Sequence, residues 1–503
     1  MLDVVSVKVA KESDLDAISS GITEIELTGR AALGVFKSFS WSGNVAVFCG
    51  PGNNGGDGYA LSVLLNAANT SVTIFEFLKK DVSSNSASFY YRNKCVQEKI
   101  NIFDISENYD LSSFSIIVDC LFGIGFRGEC KSFFATAIKR INETRDNGAK
   151  VVSVDINSGL NGDTGLGSIA IKSDLTVSIG WYKAGHFLNC AKDYIGDLTC
   201  IDIGVNLNTL SFKLIEAKDL KPIFPKRKNF TNKGDYGKSL IIAGCANFVG
   251  AAKLANLSQA SLLSGVGISA LVIPKSIQNA VTPYLLESIL YLSDDCDGHM
   301  VYNPFFLDSI SKNATSIAIG PGLGTSQEIF KIVSHLIENY SGILTIDADG
   351  INALSQKPEI LLNAKCKVIL TPHIKEFHRL TGESIDTILN SPIDSVLAFS
   401  RKYNTTILLK GPSTIISDGI EVYITNRGTP AMSTGGSGDV LTGVISGLSA
   451  LKTCSTIMGA AAASYITGAA AELACSASNE YSLLPHDVIS MIPTVISNII
   501  NGA

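Results

Sequence analysis

The stretch Ser433-Thr434-Gly435-Gly436-Ser437-Gly438-Asp439 carries the clearest motif of the sequence, and an apolar run beginning at Val440 follows it. Glycines that open a helix leave free backbone N–H groups and the positive end of the helix dipole facing an incoming anion. Asp439 at the mouth of this hole can take the proton from an attacking hydroxyl. The structural alternative is that Asp439 only caps the helix. The motif predicts a phosphoryl-transfer site.

Further candidate residues follow predicted strands of the C-terminal half. These strands are short and apolar, over residues 239–243, 268–273, 316–319, 343–346, 368–370 and 406–409. The loops after four of them are Gly320-Pro321-Gly322-Leu323-Gly324, Asp347-Ala348-Asp349, Thr371-Pro372-His373 with Glu376, and Lys410-Gly411-Pro412-Ser413-Thr414. Because ligands bind at the carboxyl ends of parallel strands, we expect these loops to share one site with Asp439.

A second glycine-rich block lies in the N-terminal half, where a predicted strand over 45–49 runs into Gly50-Pro51-Gly52-Asn53-Asn54-Gly55-Gly56-Asp57-Gly58. A helix is predicted over 59–68, so the loop can bring backbone N–H groups to a phosphate. The block contains G-x-G-x-x-G and Glu76 ends the next strand, which raises the hypothesis of an NAD-dependent dehydrogenase. A second match at Gly123, Gly125 and Gly128 is equally explained as a turn after a strand.

Several polar residues of the N-terminal half also follow predicted strands. The predicted strands over 72–77, 115–118, 151–154 and 176–179 alternate with helical patterns, and Asp119, Asp155 and Ser158 follow strand ends. Together with Asn54 they bring oxygens that suit a hard cation and carboxylates that suit proton transfer. Lys183 also follows a strand and is a candidate acid/base. The alternatives are that each aspartate caps a turn and that Lys183 is a solvated loop lysine.

The alternation of strands and helices predicts an α/β protein with two domains, both built on mainly parallel sheets. The two series are separated between about residues 206 and 228, where Pro222, Pro225 and the basic cluster 226–228 indicate a connector. We therefore predict domains over 1–215 and 220–503.

Bulk composition excludes several classes of protein. The 503 residues carry a net charge of −6 with the 40 Lys and Arg residues dispersed, which argues against a nucleic-acid partner. No uninterrupted apolar run is long enough to span a membrane, and the N-terminus lacks a signal-peptide pattern, so we expect a cytoplasmic protein without a membrane partner. The 11 cysteines form no C-x-x-C pair, and the six histidines form no zinc motif.

The N-terminal motifs resemble the YjeF N-terminal family over roughly residues 1–215. That family is the NAD(P)HX epimerase, which interconverts the R and S hydrates of NADH and NADPH, and its fold is a three-layer Rossmann-like domain. The resemblance implies that Asn54, Asp119 and Ser158 hold K⁺, and that Asp155 acts in catalysis with Lys183 as the candidate acid/base. It implies substrate contacts from Asn53, Asn54, Gly55, Gly56, Asp57, Gly123, Ile124, Gly125, Phe126, Arg127, Gly128, Glu129 and Asp155. Asn157 stands where that family usually has proline.

The C-terminal motifs resemble the ribokinase-like superfamily and, as an ordered set over roughly 220–503, the YjeF C-terminal family. That family is the ADP- or ATP-dependent NAD(P)HX dehydratase. The resemblance implies that Ala251, Gly322, His373 and Asp439 contact the S hydrate, with Asp439 as the catalytic base. It implies that Lys410, Gly411, Pro412, Ser413, Thr414 and Gly438 hold the adenine nucleotide with its Mg²⁺. Ile374 and Lys375 replace a usual Pro-Gly.

Together the resemblances imply a bifunctional metabolite-repair enzyme, an isomerase and lyase that restores NADH and NADPH from NADHX and NADPHX with ADP or ATP. They also imply a homo-oligomer. The main alternative is a small-alcohol kinase of the hydroxymethylpyrimidine or hydroxyethylthiazole type with a non-catalytic N-terminal binding module. It shares the G-S-G-D hole but leaves the intact Asp57, Asp119 and Asp155 unexplained.

Overall fold

A computed structural model describes residues 1–77, 86–105, 109–130, 132–260 and 265–502. The chain divides into two compact units. The N-terminal unit comprises Asp3–Phe212, and the C-terminal unit comprises Met1–Leu2 with Lys213–Ala503.

The N-terminal unit is built on a parallel sheet. Its strands are β1 (Leu2–Val5), β2 (Val45–Cys49), β3 (Val72–Glu76), β4 (Asn101–Asp104), β5 (Ile116–Cys120), β6 (Lys150–Val154), β7 (Leu175–Ile179), β8 (Tyr182–Lys183) and β9 (Asp197–Ile201). Its helices are α1 (Val7–Ser19), α2 (Glu24–Ser38), α3 (Asn53–Ala67), α4 (Ala87–Gln97) and α5 (Ser132–Asp146). Seven strands lie in the order β4-β3-β2-β5-β6-β7-β9, and β1 pairs with β8.

This unit has three layers because its central strands bury both faces. All five residues of β2 and of β5 are buried. Apolar residues of α2, α3 and α4 pack on one face of the sheet, and those of α5 pack on the other. Continuous apolar runs of this kind are typical of parallel strands covered by helices. The arrangement leaves the carboxyl ends of β2, β5, β6 and β7 at one edge of the sheet.

The C-terminal unit has a larger sheet. Its strands are β10 (Phe212–Leu214), β11 (Lys238–Ile242), β12 (Ile268–Pro274), β13 (Ile289–Ser293), β14 (Asp295–Cys296), β15 (His299–Met300), β16 (Ser316–Ile319), β17 (Ile343–Ile346), β18 (Lys367–Leu370), β19 (Thr406–Leu409), β20 (Thr414–Ser417) and β21 (Val422–Thr425). The order is β13-β12-β11-β16-β17-β18-β19-β20-β21-β10, with β14 and β15 in a separate hairpin. The pairs are parallel except β19–β20 and β20–β21.

Helices cover this sheet. They are α6 (Ala217–Leu220), α7 (Val249–Ala260), α8 (Gln278–Val281), α9 (Pro304–Ser311), α10 (Gln327–Asn339), α11 (Ala348–Leu354), α12 (Ile374–Thr381), α13 (Ile385–Asn390), α14 (Pro392–Tyr403), α15 (Ser437–Ala450), α16 (Thr456–Ala477) and α17 (Pro485–Asn501). Within the described ranges, α16 alone is long and apolar enough to cross a membrane, but 78% of its most apolar stretch is buried. It packs against α15 and α17 as a core helix.

The predicted α/β class with mainly parallel sheets is confirmed. One local prediction is wrong: the helix expected to begin at Tyr59 begins at Asn53, so Asn53 to Asp57 lie in its first turns. Gly52 is its N-cap and makes no side-chain capping bond. The first backbone N–H groups of α3 therefore belong to the glycine-rich block itself, nearly two turns earlier than the apolar pattern indicates.

Candidate active sites

A cavity of about 720 Å³ lies in the N-terminal unit. It is lined from the start of α3, from the loop after β5, from the ends of β6 and β7, and from one face of α1 and α2. Most of the predicted epimerase residues line it, namely Asn53, Asn54, Asp57, Gly123, Ile124, Gly125, Phe126, Arg127, Glu129, Asp155 and Lys183. Gly55, Gly56 and Gly128 do not line it.

Close packing accounts for the two glycines of α3 that face away from the cavity. A Cβ at Gly55 would lie 2.0 Å from the Gly50 carbonyl oxygen, and one at Gly56 would lie 2.6 Å from Ser88 Oγ. The backbone at the end of β2 leaves no room for a side chain at Gly55, and Ser88 of α4 crowds one at Gly56, because α3 approaches both neighbours closely. Their role in the structure is to permit this approach.

Asp155 and Lys183 form a buried pair at the cavity wall. The Lys183 ammonium donates to Asp155 Oδ1 and to the Ile179 carbonyl oxygen, the latter at 2.8 Å. Lys183 is 1% exposed, so the alternative of a solvated loop lysine is wrong. Asp155 adopts a φ of 68°, which is rare for a non-glycine residue. Such backbone conformations cluster at functional sites, where the surrounding structure holds them in place.

His186 holds both members of this pair, and sequence reasoning missed it. Its Nδ1 accepts the Lys183 backbone N–H at 3.0 Å, so its Nε2–H donates to the Asp155 carbonyl oxygen at 2.7 Å. Burial and the Lys183 ammonium lower the pKa of His186 to about 4, so the ring stays neutral and keeps this tautomer.

Two further carboxylates share the cavity. Burial raises the pKa of Asp57 well above its usual range, and the Asp155 and Asp14 carboxylates raise it further. Burial also raises the pKa of Asp14 to about 6, with the Lys183 ammonium opposing this shift. Sequence reasoning did not single out Asp14 or its neighbour Lys11. The signal that could have found them is their spacing, since Ala10, Asp14 and Ile18 lie on one helical face.

The residues expected to hold K⁺ meet beside this cavity. Asp119 is fully buried and accepts hydrogen bonds from Ser153 Oγ, Ser158 N and Oγ, and Leu121 N. The amide nitrogen of Asn54 donates to the Phe122 carbonyl oxygen at 2.9 Å, whereas Asn54 Oδ1 is buried without a hydrogen-bond partner. An unpartnered buried oxygen is a free ligand for a hard cation. The donor set of one carboxylate with neutral oxygens fits a monovalent ion.

Asn157 fixes the loop before Ser158 by hydrogen bonds. Its amide nitrogen donates to Ile171 O, Ser173 Oγ and Tyr194 O, and its amide oxygen accepts from Thr176 Oγ1 at 2.6 Å. The side chain is fully buried. A satisfied buried network restrains a loop by means other than the fixed φ of proline.

Glu76 does not behave as the ribose-binding acid of a dehydrogenase. It accepts hydrogen bonds from Tyr59 at 2.8 Å and from two nitrogens of Arg92 at 2.8 and 2.6 Å. In dinucleotide-binding dehydrogenases the acid at this position binds ribose hydroxyls. Here its carboxylate is committed to Arg92 and it does not line the cavity. The dehydrogenase hypothesis loses its main support.

In the C-terminal unit, Asp347 lies at the centre of the strand-end loops. It accepts from Lys410 Nζ at 2.8 Å, Thr371 Oγ1 at 2.7 Å and Thr442 Oγ1 at 2.7 Å. Burial raises its pKa, but Lys410 and the three hydrogen bonds outweigh this and hold the pKa of Asp347 below its usual range. Asp347 therefore joins the end of β17 to Lys410 after β19 and to Thr442 of α15.

Asp439 lies in the first turn of α15. The N-cap is Gly436, with a φ of 101° and no side-chain capping bond, so Asp439 is not the cap. Burial and the neighbouring Asp347 carboxylate raise the pKa of Asp439 to about 7, against the lowering effect of Lys410. A carboxylate with such a pKa at a helix N-terminus is suited to general-base work near neutral pH.

Among the other predicted residues of this unit, two glycines lie in close contact with site residues, and His373 caps a helix. A Cβ on Gly438 would lie 3.6 Å from Asp347 Oδ2 and 3.7 Å from Lys410 Nζ, and one on Gly322 would lie 2.9 Å from the Ala251 Cβ. His373 is the N-cap of α12, where its Nδ1 accepts from the backbone N–H groups of Lys375 and Glu376.

The nucleotide stretch after β19 is arranged differently from the expected loop. Gly411 and Pro412 are exposed, whereas Ser413 is buried and donates to Asn426 Oδ1 at 2.8 Å. Thr414 already belongs to β20, whose antiparallel pairing with β19 was not predicted. Only Lys410 of this stretch has a described contact with Asp347.

The fold and these sites define a fusion of a Rossmann-like unit and a ribokinase-like unit, each with its own carboxylate-centred site. Residues 239–494 match a family model described as NAD(P)H-hydrate dehydratase, and residues 24–185 match one described as the YjeF-related protein N-terminus. The chain belongs to the family of bifunctional NAD(P)H-hydrate repair enzymes.

Relatives and solved structures agree with this membership. The bifunctional NAD(P)H-hydrate repair enzyme of Thermofilum pendens is 34% identical, with 80% of this chain and 78% of that relative covered. That of Coxiella burnetii is 30% identical over 97% of this chain and 98% of the relative. The ADP/ATP-dependent NAD(P)H-hydrate dehydratase of Bacillus subtilis, co-crystallised with ATP and Mg²⁺, is 26% identical with a TM-score of 0.50, covering 58% of this chain and 100% of that one.

Proposed function

We propose that this chain repairs hydrated NADH and NADPH in two steps. The N-terminal unit epimerises the R and S hydrates, and the C-terminal unit dehydrates the S hydrate at the expense of ADP or ATP. The observation that carries this proposal is that each unit has a carboxylate beside a lysine at its strand ends: Asp155 with Lys183 in the first, and Asp439 beside Asp347 and Lys410 in the second. A kinase with a non-catalytic N-terminal module would not need the carboxylate site of the N-terminal unit.

For the epimerase site, we propose that the dinucleotide hydrate enters the cavity of the N-terminal unit. Residues Gly123 to Glu129 and the start of α3 would contact it, and Asp155 would exchange protons at the reacting ring. Lys183 compensates the charge of Asp155 in a buried position, where an isolated carboxylate would be costly. His186 holds both residues in position through hydrogen bonds to their backbone groups.

We propose that Asn54, Asp119 and Ser158 hold K⁺ next to this site. The free Oδ1 of Asn54 and the buried Asp119 carboxylate support the assignment. A bound cation would supply a fixed positive charge close to the substrate. Asp119 and Ser158 also couple the ends of β5 and β6, because Ser158 Oγ donates to Asp119 while accepting the Phe122 N–H.

For the dehydratase site, we propose that Asp439 takes the proton from the C6 hydroxyl of the S hydrate while this oxygen attacks the terminal phosphoryl group of the nucleotide. The N-terminus of α15 stabilises the charge of the transferred group. The ring nitrogen then expels phosphate, and loss of the C5 proton restores NADH or NADPH. Lys410, held by Asp347, offers a positive charge beside Gly438 for the nucleotide phosphates.

Mg²⁺ fits this site as a companion of the nucleotide. Among the described residues there is no group of three or more His, Cys, Asp or Glu side chains placed to hold a metal ion. Mg²⁺ commonly binds through substrate phosphates and few protein ligands. It would neutralise phosphate charge here. We further propose a cytoplasmic homo-oligomer, and the eleven free thiols fit a reducing compartment.

The test is an absorbance assay with purified protein, a mixture of R and S NADHX, Mg²⁺ and either ADP or ATP. The wild-type chain should convert both epimers to NADH. Asp155→Ala should convert the S fraction and then only what spontaneous epimerisation supplies, and Asp439→Ala should abolish the return of NADH. No NADH with either nucleotide would contradict the dehydratase and favour a small-alcohol kinase.

A further inference from the structure

Helix α1 brings an unassigned carboxylate into the cavity of the N-terminal unit. The strand that precedes it, β1, pairs with the strand that carries the lysine, so that Val5 lies opposite Lys183. The first N–H of α1, at Val7, donates to Asp163 at 2.6 Å. Ser13 lies on the buried face, and the adjacent face presents Asp14 to the cavity. Asp14 is therefore fixed relative to Lys183 by backbone pairing.

Three aspartate carboxylates and one buried ammonium group share the cavity of the N-terminal unit. Asp14, Asp57 and Asp155 lie around one buried ammonium, Lys183, and each carboxylate interacts electrostatically with the others. The remaining charged groups that line the cavity are Lys11 on α1, Glu24 on α2, and Arg127 and Glu129 on the loop after β5. Since Lys183 already pairs with Asp155, the other two carboxylates can remain protonated, and a protonated carboxyl is a proton donor.

Inversion of the hydrate at C6 needs a proton donor as well as a proton acceptor. If water left from C6, the resulting iminium ion could lose its C5 proton and form NADH directly, which would bypass the nucleotide-dependent unit. Opening of the ring avoids this intermediate. The C6 hydroxyl then loses its proton, the C6–N1 bond breaks to leave a C6 aldehyde, and N1 takes up a proton. Rotation about C5–C6 and the reverse steps give the other epimer, with no proton or electron consumed.

We propose that Asp14 donates the proton to N1 while Asp155 accepts the proton of the C6 hydroxyl, an inference that rests on the epimerase function proposed above. Asp155 is placed to accept a proton because its carboxylate lines the cavity, where it pairs with the Lys183 ammonium. Asp14 is suited to donation because its pKa is raised to about 6, by burial first and by the Asp155 carboxylate as well. A buried carboxyl with a raised pKa beside an ion-paired carboxylate is a common arrangement for paired acid and base catalysis.

The proposal is tested by Asp14→Asn in the full-length chain. Epimerisation is measured without nucleotide, by chromatographic separation of R and S NADPHX from an enriched starting epimer. The kcat should fall about 10²–10⁴-fold, the usual contribution of general acid catalysis. The KM should change by less than about threefold, because binding contacts remain. Dehydration of S NADPHX with nucleotide should keep its wild-type rate and reports that the chain is folded.

The pH profile separates a proton donor from a structural residue. In the wild type, kcat/KM for epimerisation should fall as the pH rises through about 6, because Asp14 loses the proton it must donate. Asp14→Asn should lose this limb, and Asp14→Glu should retain it with a reduced rate. Glu12→Gln is the matched control, since Glu12 lies on the same helix, is exposed and pairs with Lys8; it should match the wild type.

Two results overturn the assignment of Asp14. One is an Asp14→Asn kcat within about twofold of wild type, and the other is an increase in KM alone. A wild-type chain that does not interconvert the epimers contradicts the epimerase function instead. The two failures are thus distinguishable in one experiment.

Discussion

Asp439 sets the pH dependence of the dehydratase at the scale of a single residue. With a pKa raised to about 7, it is protonated at lower pH and cannot accept the hydroxyl proton. We expect the dehydration rate with pure S hydrate to fall as the pH decreases through about 7, and to level off above it. Asp439→Asn should be inactive at every pH. A wild-type rate that is flat across this range would show that another group is the base.

Asp347 makes a testable contribution to stability. It is 1% exposed and partners Lys410, so Asp347→Ala removes the carboxylate but leaves an ammonium group beside it. Loss of one partner of a buried pair costs about 3–5 kcal/mol of unfolding free energy. Urea denaturation of the C-terminal transition should show this decrease. Asp308→Ala, which removes an exposed partner of His335, is the control, with an expected change of about 0–1 kcal/mol.

The contribution of Asp347 to the free energy of unfolding should depend on pH. The pKa of Asp347 is lower in the folded than in the unfolded chain, so its contribution is present above the unfolded pKa and is lost as the pH falls through the folded value. The difference between wild type and Asp347→Ala should therefore narrow in acid. A difference that stays constant down to low pH would contradict the ion pair as its source.

Sequence could predict the residues that follow strands but not those delivered by distant helices. Asp119, Asp155 and Ser158 are expected together because parallel strand ends converge. Ser158 Oγ and N–H both donate to Asp119, whereas Asp155 pairs with Lys183 instead. Asp14 and His186 could not be placed in this way. Their positions depend on the pairing of β1 with β8 and on the turn after Lys183, both of which are tertiary features.

At the scale of secondary-structure elements, the loop after β16 is held against α7 by one glycine. Gly322 has a φ of 60°, and a Cβ there would lie 2.7 Å from Phe248 Cβ and 2.9 Å from Ala251 Cβ. Gly322→Ala should displace this loop and lower dehydratase kcat/KM by more than about tenfold, while epimerisation is unchanged. Gly250→Ala, where a Cβ has open space, is the control. Wild-type activity in Gly322→Ala would separate this loop from the site.

The elements were predictable where apolar runs were continuous. The strands at 45–49, 316–319, 343–346 and 406–409 have the predicted bounds, because fully buried parallel strands read as short unbroken apolar runs. The start of α3 was misplaced because glycines and asparagines favour turns in isolation, whereas here the tertiary approach of α3 to β2 selects the helix. The hairpin of β20 and β21 was not predicted, because the residues just before Thr414 have the composition of a turn and do not indicate that a strand follows.

At the scale of the whole molecule, alternating strands and helices indicated two α/β series but not the order of strands in either sheet. The order β4-β3-β2-β5-β6-β7-β9 places β5 at the centre, beside β2, because of pairings between segments far apart in sequence. Each unit has its own hydrophobic core and its own carboxylate site. Each should therefore complete its step without the activity of the other.

This independence predicts that the two activities can be supplied by different chains. An equimolar mixture of Asp155→Ala and Asp439→Ala proteins contains one intact epimerase unit and one intact dehydratase unit. Because the hydrate is a diffusible small molecule, the mixture should convert both epimers to NADH, whereas neither variant alone should do so at the wild-type rate. The measurement is the return of reduced nicotinamide absorbance with ADP or ATP and Mg²⁺. If the mixture converts only the S fraction at a substantial rate, the two steps must occur within one chain, and transfer of the hydrate between units would be part of the mechanism.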